Sequence, residues 1–319
     1  MPEKKRSLSV MLALVALFVA ASIYVAALPG QSQSVSKNES GEGAQQEMAP
    51  RTKLTASTTS RAEAPAAGKA FAHVTAQNAA LKNSLGWTFG GKQQRGWYLY
   101  APLIAELLKT ESDASTPEFA QALSQWQTGV GLAPTGVLDE NTWFKMFSTW
   151  QSRRLKNKTY AQPEQLVNVP ASDFWDESRP EELRKVERET YAAYKRMVAA
   201  ALADPSLNLA RTANGELAPA EKFLKIISAF RSKEYQEQLR RQSPGAGSAG
   251  LAVNSPHFTG RALDIYVGGD PVETRDSNRA VQIRTPVYRW LVRNAERFGF
   301  RPYFYEPWHF EYVGSSIEP

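Results

Sequence analysis

The spacing of apolar residues changes several times along the chain, and each change predicts a different kind of element. The first apolar run, Leu8–Leu28, is long enough to span a bilayer as a helix. Basic residues at positions 4–6 precede it, which predicts a cytoplasmic N-terminus and an external remainder. Small residues at positions 25–27 also offer a cleavage site for a signal peptidase. We therefore predict that residues 1–30 are a transmembrane anchor or a signal helix, and we favour the uncleaved anchor.

The next segment, residues 31–85, shows no comparable pattern. Its first forty residues are rich in Ser, Gln, Ala, Glu and Thr, and bulky apolar side chains are rare there. Such a segment cannot bury enough apolar surface to offset the entropy lost on ordering. A disordered linker is the prediction.

Helical spacing begins in residues 86–150, where turn signals separate three candidate helices. Phe119, Leu123 and Trp126 lie three or four positions apart and would share one helix face. Asp139 is a candidate N-cap for the following helix. The pattern predicts a small three-helix domain.

The remaining chain divides into a connector, 151–175, and a larger domain, 176–319. The connector is long enough for the domains on either side to fold separately. In the larger domain the pattern predicts helices over about 179–203, 232–241 and 285–298, and strands over about 222–230, 261–267 and 304–313. Helices mixed with short strands are typical of an α+β domain built on a small antiparallel sheet with flanking helices.

The amino-acid composition excludes several kinds of functional site. The 319 residues include no cysteine, which excludes disulfides, thiolate metal sites and a cysteine nucleophile. They include only three histidines. The net charge of +6 favours anionic partners such as wall polymers or phospholipid surfaces. Basic residues are interspersed with acidic ones and form no stripe with aromatic residues, so we expect no nucleic-acid partner.

Candidate catalytic groups lie within one stretch of the larger domain. Two imidazoles, His257 and His309, and the carboxylate of Asp264 match the three protein ligands of a catalytic zinc site, which leaves its fourth position for water. Zinc lowers the pKa of such a water toward about 7. Glu306 is placed to take its proton, and Arg231 to stabilise a carbonyl oxygen that gains negative charge.

Each of these residues also has an ordinary structural interpretation. His257 alone is typical of a loop or core histidine, and Arg231 of a surface residue. Asp264 would be exposed if its strand face meets solvent, and Glu306 with His309 would form a polar pair. Their joint occurrence favours the metal site.

Three motifs carry a family resemblance over about residues 220–314. They are Ser255-x-His257-x-x-Gly260-x-Ala262-x-Asp264, Glu306-Pro-Trp-His309 followed by Tyr312-Val313, and Ser228-x-x-Arg231-Ser232 with Gln236. They resemble the zinc D-alanyl-D-alanine carboxypeptidases of the VanY type. Three departures are visible: Glu311 stands where a basic residue is common, residues 250–254 lack the Pro-Pro-Gly often found there, and Phe258 replaces a more usual polar residue.

The resemblance implies a role for each motif residue. His257, Asp264 and His309 would bind Zn²⁺, Glu306 would be the base, Arg231 the oxyanion partner, and Ser255 and Gln236 would hold the terminal residue of the substrate. The implied activity is removal of the terminal D-alanine from peptidoglycan stem peptides. An endopeptidase that cuts a D,D or L,D bond is an alternative. A non-catalytic wall-binding protein with structural zinc is another.

The predicted three-helix domain has a resemblance of its own. The segments Phe119–Gln127, Gly131-Leu132, Thr135–Asp139 and Thr142-Trp143 look like the peptidoglycan-binding module. The resemblance implies that this domain binds cell-wall glycan. Together with membrane attachment through the N-terminal helix, it predicts a protein of the cell envelope on the extracytoplasmic side, either anchored or secreted.

Overall fold

The computed structural model describes residues 64–242 and 255–314. The predicted N-terminal anchor and most of the predicted linker lie outside these ranges. Within them, no helix combines the length and the apolar character needed to cross a bilayer.

Eight helices of seven or more residues occur in the described ranges. They are α1 (Ala64–Ser84), α2 (Ala101–Leu108), α3 (Pro117–Gly129), α4 (Glu140–Ser152), α5 (Arg188–Leu202), α6 (Lys233–Gln242), α7 (Asp276–Gln282) and α8 (Pro286–Asn294). Short 3₁₀ turns connect several of them, including Pro256–Thr259 and Ala295–Phe298.

The described strands form three antiparallel sheets. They are β1 (Gly86–Phe89), β2 (Lys92–Arg95), β3 (Leu166–Asn168), β4 (Lys185–Glu187), β5 (Ile226–Ser228), β6 (Ala262–Ile265), β7 (Phe300–Pro302) and β8 (His309–Tyr312). β1 pairs with β2, β3 pairs with β4, and the other four form a sheet in the order β5-β6-β8-β7. The prediction of an α+β fold on a small antiparallel sheet is confirmed.

The helical domain begins earlier than predicted. The predicted linker is wrong over Ala64–Ser84, because these residues form α1, which packs against α3. Alanine favours the helix, and the side chains of Val74 and Asn78 are buried in the contact. Asn78 Nδ2 donates to Gly136 O at 2.8 Å, and Leu138 N donates to Asn78 Oδ1 at 2.9 Å.

The three predicted helices of this domain correspond to α2, α3 and α4. Asp139 is the N-cap of α4, since its carboxylate accepts a hydrogen bond from Thr142 N at 2.8 Å. The β1–β2 hairpin before them was not predicted, because its second strand, Lys92–Arg95, contains no apolar residue.

The predicted connector at 151–175 does not separate two independent cores. The apolar side chains of the helical domain and of the following domain belong to one continuous buried cluster. Phe304 of the second domain contacts the rings of Phe89, Phe147 and Trp150, with centroids 4.9, 5.0 and 6.3 Å away. The two domains therefore pack as one body, a result that the spacing of apolar residues does not reveal.

Candidate metal centre

The first ligand candidate, His257, lies in a 3₁₀ turn directly before β6. Ser255 caps this turn by accepting a hydrogen bond from His257 N at 3.3 Å. The turn ends at Gly260, whose φ of +66° is left-handed and favours glycine. The conformation returns the chain into β6 with His257 facing the sheet.

The other two candidates face each other across the central sheet. Asp264 of β6 is directly opposite His309 of β8 in the register, and directly paired residues lie close together on one face of a sheet. Asp264 Oδ1 is 2.9 Å from His309 Nδ1 and 3.4 Å from His257 Nε2. One ligand atom from each of the three residues lies within 4.8 Å of the others.

All three side chains are buried, and Asp264 is only 2% exposed. Solvent exposure of Asp264, which alternation in the strand left open, is therefore excluded. A buried carboxylate must be paired or coordinated, because removing an unpaired charge from water is costly.

The hydrogen-bond partners show which ring nitrogens are available to a metal. His257 Nδ1 lies 2.7 Å from the carbonyl oxygen of Ala229, which can only accept, so Nδ1 carries the proton and the Nε2 lone pair faces Asp264. His309 presents Nδ1 to Asp264, and its Nε2 lies 3.4 Å from Glu311 Oε1. A carbonyl or carboxylate behind each ligating imidazole is typical of zinc sites. The donor set of two imidazole nitrogens and one carboxylate fits zinc.

The charges of the cluster follow from burial and from its close contacts. Burial lowers the pKa of His257 to about 4, so this imidazole is neutral at pH 7. Burial alone would raise the pKa of Asp264, but the two histidines outweigh it and hold that pKa well below its usual range. Burial disfavours the charged form of His309, yet hydrogen bonds to Asp264 and Glu311 raise its pKa to about 9. The proton on His309 would leave when a metal binds.

Glu306 lies beside the three ligands. Its backbone carbonyl accepts a hydrogen bond from His309 N at 2.9 Å, and its Oε2 is 4.0 Å from His309 Nδ1. Burial raises the pKa of Glu306 from 4.5 to about 7, although the nearby charge of His309 acts in the opposite direction. A carboxylate that titrates near neutral pH is suited both to accept and to donate a proton.

Arg231 is a buried residue of this site rather than a surface residue. It follows β5, with Nη2 3.4 Å from Asp264 Oδ2 and 3.3 Å from Ser228 Oγ. Its backbone N donates to His257 O at 3.3 Å. The guanidinium therefore sits against the carboxylate oxygen that faces away from the histidines.

Comparison with known proteins agrees with this geometry. Residues 183–315 match the sequence profile of the VanY family, described as D-alanyl-D-alanine carboxypeptidase. These residues are similar to that family, and we call them the VanY domain after this match. The match includes every ligand candidate and ends within three residues of β8; it does not extend to the helical domain.

A solved structure is also similar to part of the chain. It is the structure of the LdcB LD-carboxypeptidase, which reveals the molecular basis of peptidoglycan recognition by that protein. The identity is 24%, the alignment covers 50% of this chain and 72% of that chain, and the TM-score is 0.32. A comparison with curated proteins gives no match.

The two predicted substrate-binding residues of the VanY domain differ in their surroundings. Gln236 of α6 is only 3% exposed, and neither atom of its amide has a hydrogen-bond partner among the described residues. Buried amides are normally paired, so the Gln236 amide is an exception among the buried polar groups of this domain. Ser255 is fully buried, and its hydroxyl caps the turn of His257.

Glu311 and Arg154 belong to the site but were missed as functional residues. Glu311 is completely buried two positions after His309 in β8, so strand alternation could have placed it on the same face. Arg154, just after α4, donates from Nε to Glu311 Oε1 at 3.0 Å and also contacts it through Nη2. The sequence gives no signal for this pair, because 157 positions separate its members.

Proposed function

We propose that this protein is a zinc-dependent peptidoglycan peptidase that removes the terminal D-alanine from stem peptides. The observation that carries the proposal is the buried cluster of His257, Asp264 and His309 with Glu306 beside it, in the VanY domain. The three ligands leave a zinc coordination position open, as in catalytic sites.

Glu306 is the general base in this proposal. When bound, zinc supplies a Lewis acid that polarises a carbonyl and makes water a better nucleophile at neutral pH. The Glu306 carboxylate takes the proton from the attacking water and then delivers it to the nitrogen of the departing amine. In the metal-free site, burial raises the pKa of this carboxylate to about 7.

Arg231 is the proposed partner of the carbonyl oxygen as that oxygen gains negative charge. Contacts with Ser228 and Asp264 hold the guanidinium in place before substrate arrives. A donor that is already oriented needs no reorganisation during the reaction, which is why such groups contribute strongly to catalysis.

Gln236 and Ser255 are the proposed contacts of the terminal residue. The unpaired amide of Gln236 offers both a donor and an acceptor to a carboxylate or a peptide group. Ser255 would contribute from the turn that carries His257, which its hydroxyl already caps.

Two alternatives remain distinct from the proposal. A peptidoglycan endopeptidase would use the same groups on a D,D or L,D bond within the polymer. A wall-binding protein with structural zinc is disfavoured, because a structural site has four protein ligands and needs no additional carboxylate beside them.

The location and the other partners follow from the same proposal. Peptidoglycan lies outside the cytoplasmic membrane, so the enzyme would act in the cell envelope, either anchored through the helix at 1–30 or secreted. The helical domain would hold cell-wall glycan and raise the local concentration of stem peptides.

Defined muropeptides test which bond is cut. The zinc-loaded full-length protein is incubated with a monomeric pentapeptide, a monomeric tetrapeptide and a cross-linked dimer, and the products are weighed by mass spectrometry. Loss of one alanine from the pentapeptide alone supports the proposal. Shortening of the tetrapeptide favours an L,D activity, cleavage of the dimer favours an endopeptidase, and no product from any substrate contradicts a peptidase.

A further inference from the structure

The connector segment that directly follows the helical domain reaches the metal centre through Arg154. This residue follows α4, and its guanidinium holds Glu311 Oε1, with Nε 3.0 Å away. The neighbouring backbone amide, Leu155 N, donates to Glu311 Oε2 at 2.9 Å. Both oxygens of the carboxylate are therefore fixed by one short segment, which lies outside the VanY domain.

Glu311 transmits this contact to a ligand candidate. Its Oε1, the oxygen that Arg154 holds, lies 3.4 Å from His309 Nε2. The ring of Tyr303 adds a second contact to both partners. Its centroid is 3.9 Å from the Arg154 guanidinium carbon and 5.8 Å from the His309 ring.

We propose that Arg154 is a positioning residue that orients His309 through Glu311. The proposal rests on the zinc site proposed above. A carboxylate that accepts the second ring N–H of a ligating histidine fixes its tautomer and its orientation, and makes the other nitrogen a better ligand. With Nε2 bound to Glu311, the Nδ1 lone pair of His309 faces Asp264 and His257.

Glu311 can orient His309 only while a cation compensates the buried negative charge of its carboxylate. It is 0% exposed, and Arg154 is its only cationic side-chain partner within 4 Å among the described residues, apart from His309 itself. Without the guanidinium, Oε1 loses the hydrogen bonds that hold it beside His309, and the carboxylate would turn away, since a lone buried charge is strongly unfavourable. The alignment of His309 then weakens.

The consequence is that the VanY domain does not contain its complete active centre. Glu311 of β8 is paired instead with an arginine from the connector segment that follows α4. The segment that joins the helical domain to the VanY domain thus contributes to catalysis by positioning, in addition to any role of the helical domain in binding the wall.

The test uses five full-length variants. Arg154→Met removes the cation, Arg154→Lys keeps the charge but loses the planar fork, Glu311→Gln removes the acceptor charge, and Arg154→Met/Glu311→Gln removes both. Arg153→Met is the matched control, because the neighbouring Arg153 is exposed and has no ion pair within 4 Å in the described residues. Zinc affinity is measured by equilibrium competition with a chelator, and kcat and KM with a soluble stem peptide.

Arg154→Met should weaken zinc binding by about 10- to 100-fold, the usual cost of losing a partner behind a ligand. The value of kcat should fall while KM changes little, and Arg154→Lys should recover part of both losses. In the Glu311→Gln background, Arg154→Met should have almost no further effect, because the arginine acts through the glutamate. Arg153→Met should match the wild type.

Zinc affinity and kcat within about two-fold of wild type in Arg154→Met would overturn the proposal, as would additive effects of Arg154→Met and Glu311→Gln. If Arg154→Met does not fold, the double variant, which leaves no unpaired buried charge, carries the test together with Arg154→Lys. A wild-type protein that binds no zinc would overturn the proposed function and this inference together. Normal zinc binding with a silent Arg154→Met overturns this inference alone.

Discussion

His257 and His309 use different ring nitrogens, and single hydrogen bonds set that difference. The carbonyl of Ala229 leaves Nε2 of His257 available, and Glu311 leaves Nδ1 of His309 available. Asp264 lies between the two lone pairs. Three side chains from a turn and two paired strands thus converge on one point.

Replacement of a ligand candidate should remove the metal. We expect about one zinc per chain in the wild type and almost none in His309→Ala, because two protein ligands do not hold zinc tightly. His73→Ala is the control, since His73 is exposed on α1, away from the three ligand candidates. Metal analysis of the three proteins provides the check, and equal zinc in all of them would remove His309 from the site.

Glu306 should destabilise the metal-free fold above neutral pH. Its pKa is about 7 in the folded protein and 4.5 without burial, so the folded state keeps a proton that the unfolded state has lost. The free energy of unfolding therefore falls as pH rises from 4.5 through 7. Glu306→Gln lacks this decline, and relative to wild type it should gain up to about 3 kcal/mol over that range.

Denaturant unfolding of both metal-free proteins at pH 4.5 and pH 8 measures this difference. His257, His309 and the other titrating groups are the same in both proteins, so their contributions cancel in the comparison to first order. A stability difference that stays the same at both pH values would mean that Glu306 is not desolvated as the structure indicates.

At the scale of elements, the turn before β6 depends on Gly260. A Cβ at this position would lie 2.9 Å from the backbone nitrogen of Glu187 and 2.8 Å from Leu166 Cδ2. The residue also has a positive φ, and Gly260 O accepts a hydrogen bond from Glu187 N at 3.1 Å. The turn of His257 is therefore pressed directly against β3 and β4.

Gly260→Ala should weaken both stability and zinc binding. Gly215→Ala is the control, because Gly215 has a φ of +78° but no atom within 4 Å of an added Cβ. Both variants incur the left-handed penalty of about 1–2 kcal/mol, and only Gly260→Ala adds a backbone clash that displaces His257. Equal losses of stability and unchanged zinc affinity in both variants would contradict this account.

The sequence predicted the ligand candidates and the strands that carry them, but not how those strands pair or what packs against them. The ligand candidates were identified because each lies in a short motif, and strand spacing placed β6 and β8 near them. The pairing of Asp264 with His309 depends on register, which no local motif specifies. Helix α1 was missed because its stability comes from tertiary contacts, among them the two hydrogen bonds between the Asn78 side chain and the backbone of Gly136 and Leu138. Arg154 was missed because its partner is distant in the chain.

At the scale of the whole molecule, the helical domain supports the segment that carries Glu306. The rings of Phe89 and Phe147 pack on Phe304, and Phe89 also contacts Tyr305. Arg279 of α7 lies between Tyr100 and Tyr305, with its guanidinium carbon 5.2 and 4.3 Å from their ring centroids, and it donates to Tyr100 Oη at 2.8 Å. The segment that ends at Glu306 is therefore fixed by both domains.

Calorimetry should show one unfolding transition for the residues of both domains, because they share one apolar core. Phe147→Ala should lower the free energy of unfolding by about 1–3 kcal/mol, less than a fully buried Phe→Ala because Phe147 is half-buried. The whole transition should shift. Phe144→Ala should have little effect, since Phe144 is 66% exposed on the same helix. Two transitions, with Phe147→Ala affecting only one, would mean that the domains unfold independently.

The most direct measurement is the rate of stem-peptide hydrolysis as zinc is added to the metal-free full-length protein. We expect no hydrolysis before zinc is added, a linear rise in rate with added zinc, and saturation at about one zinc per chain. Glu306→Gln should take up the same zinc and remain at least about 10²-fold slower, as expected for loss of a general base. Hydrolysis by the metal-free protein in the presence of a chelator, or equal rates for wild type and Glu306→Gln at saturation, would contradict the account.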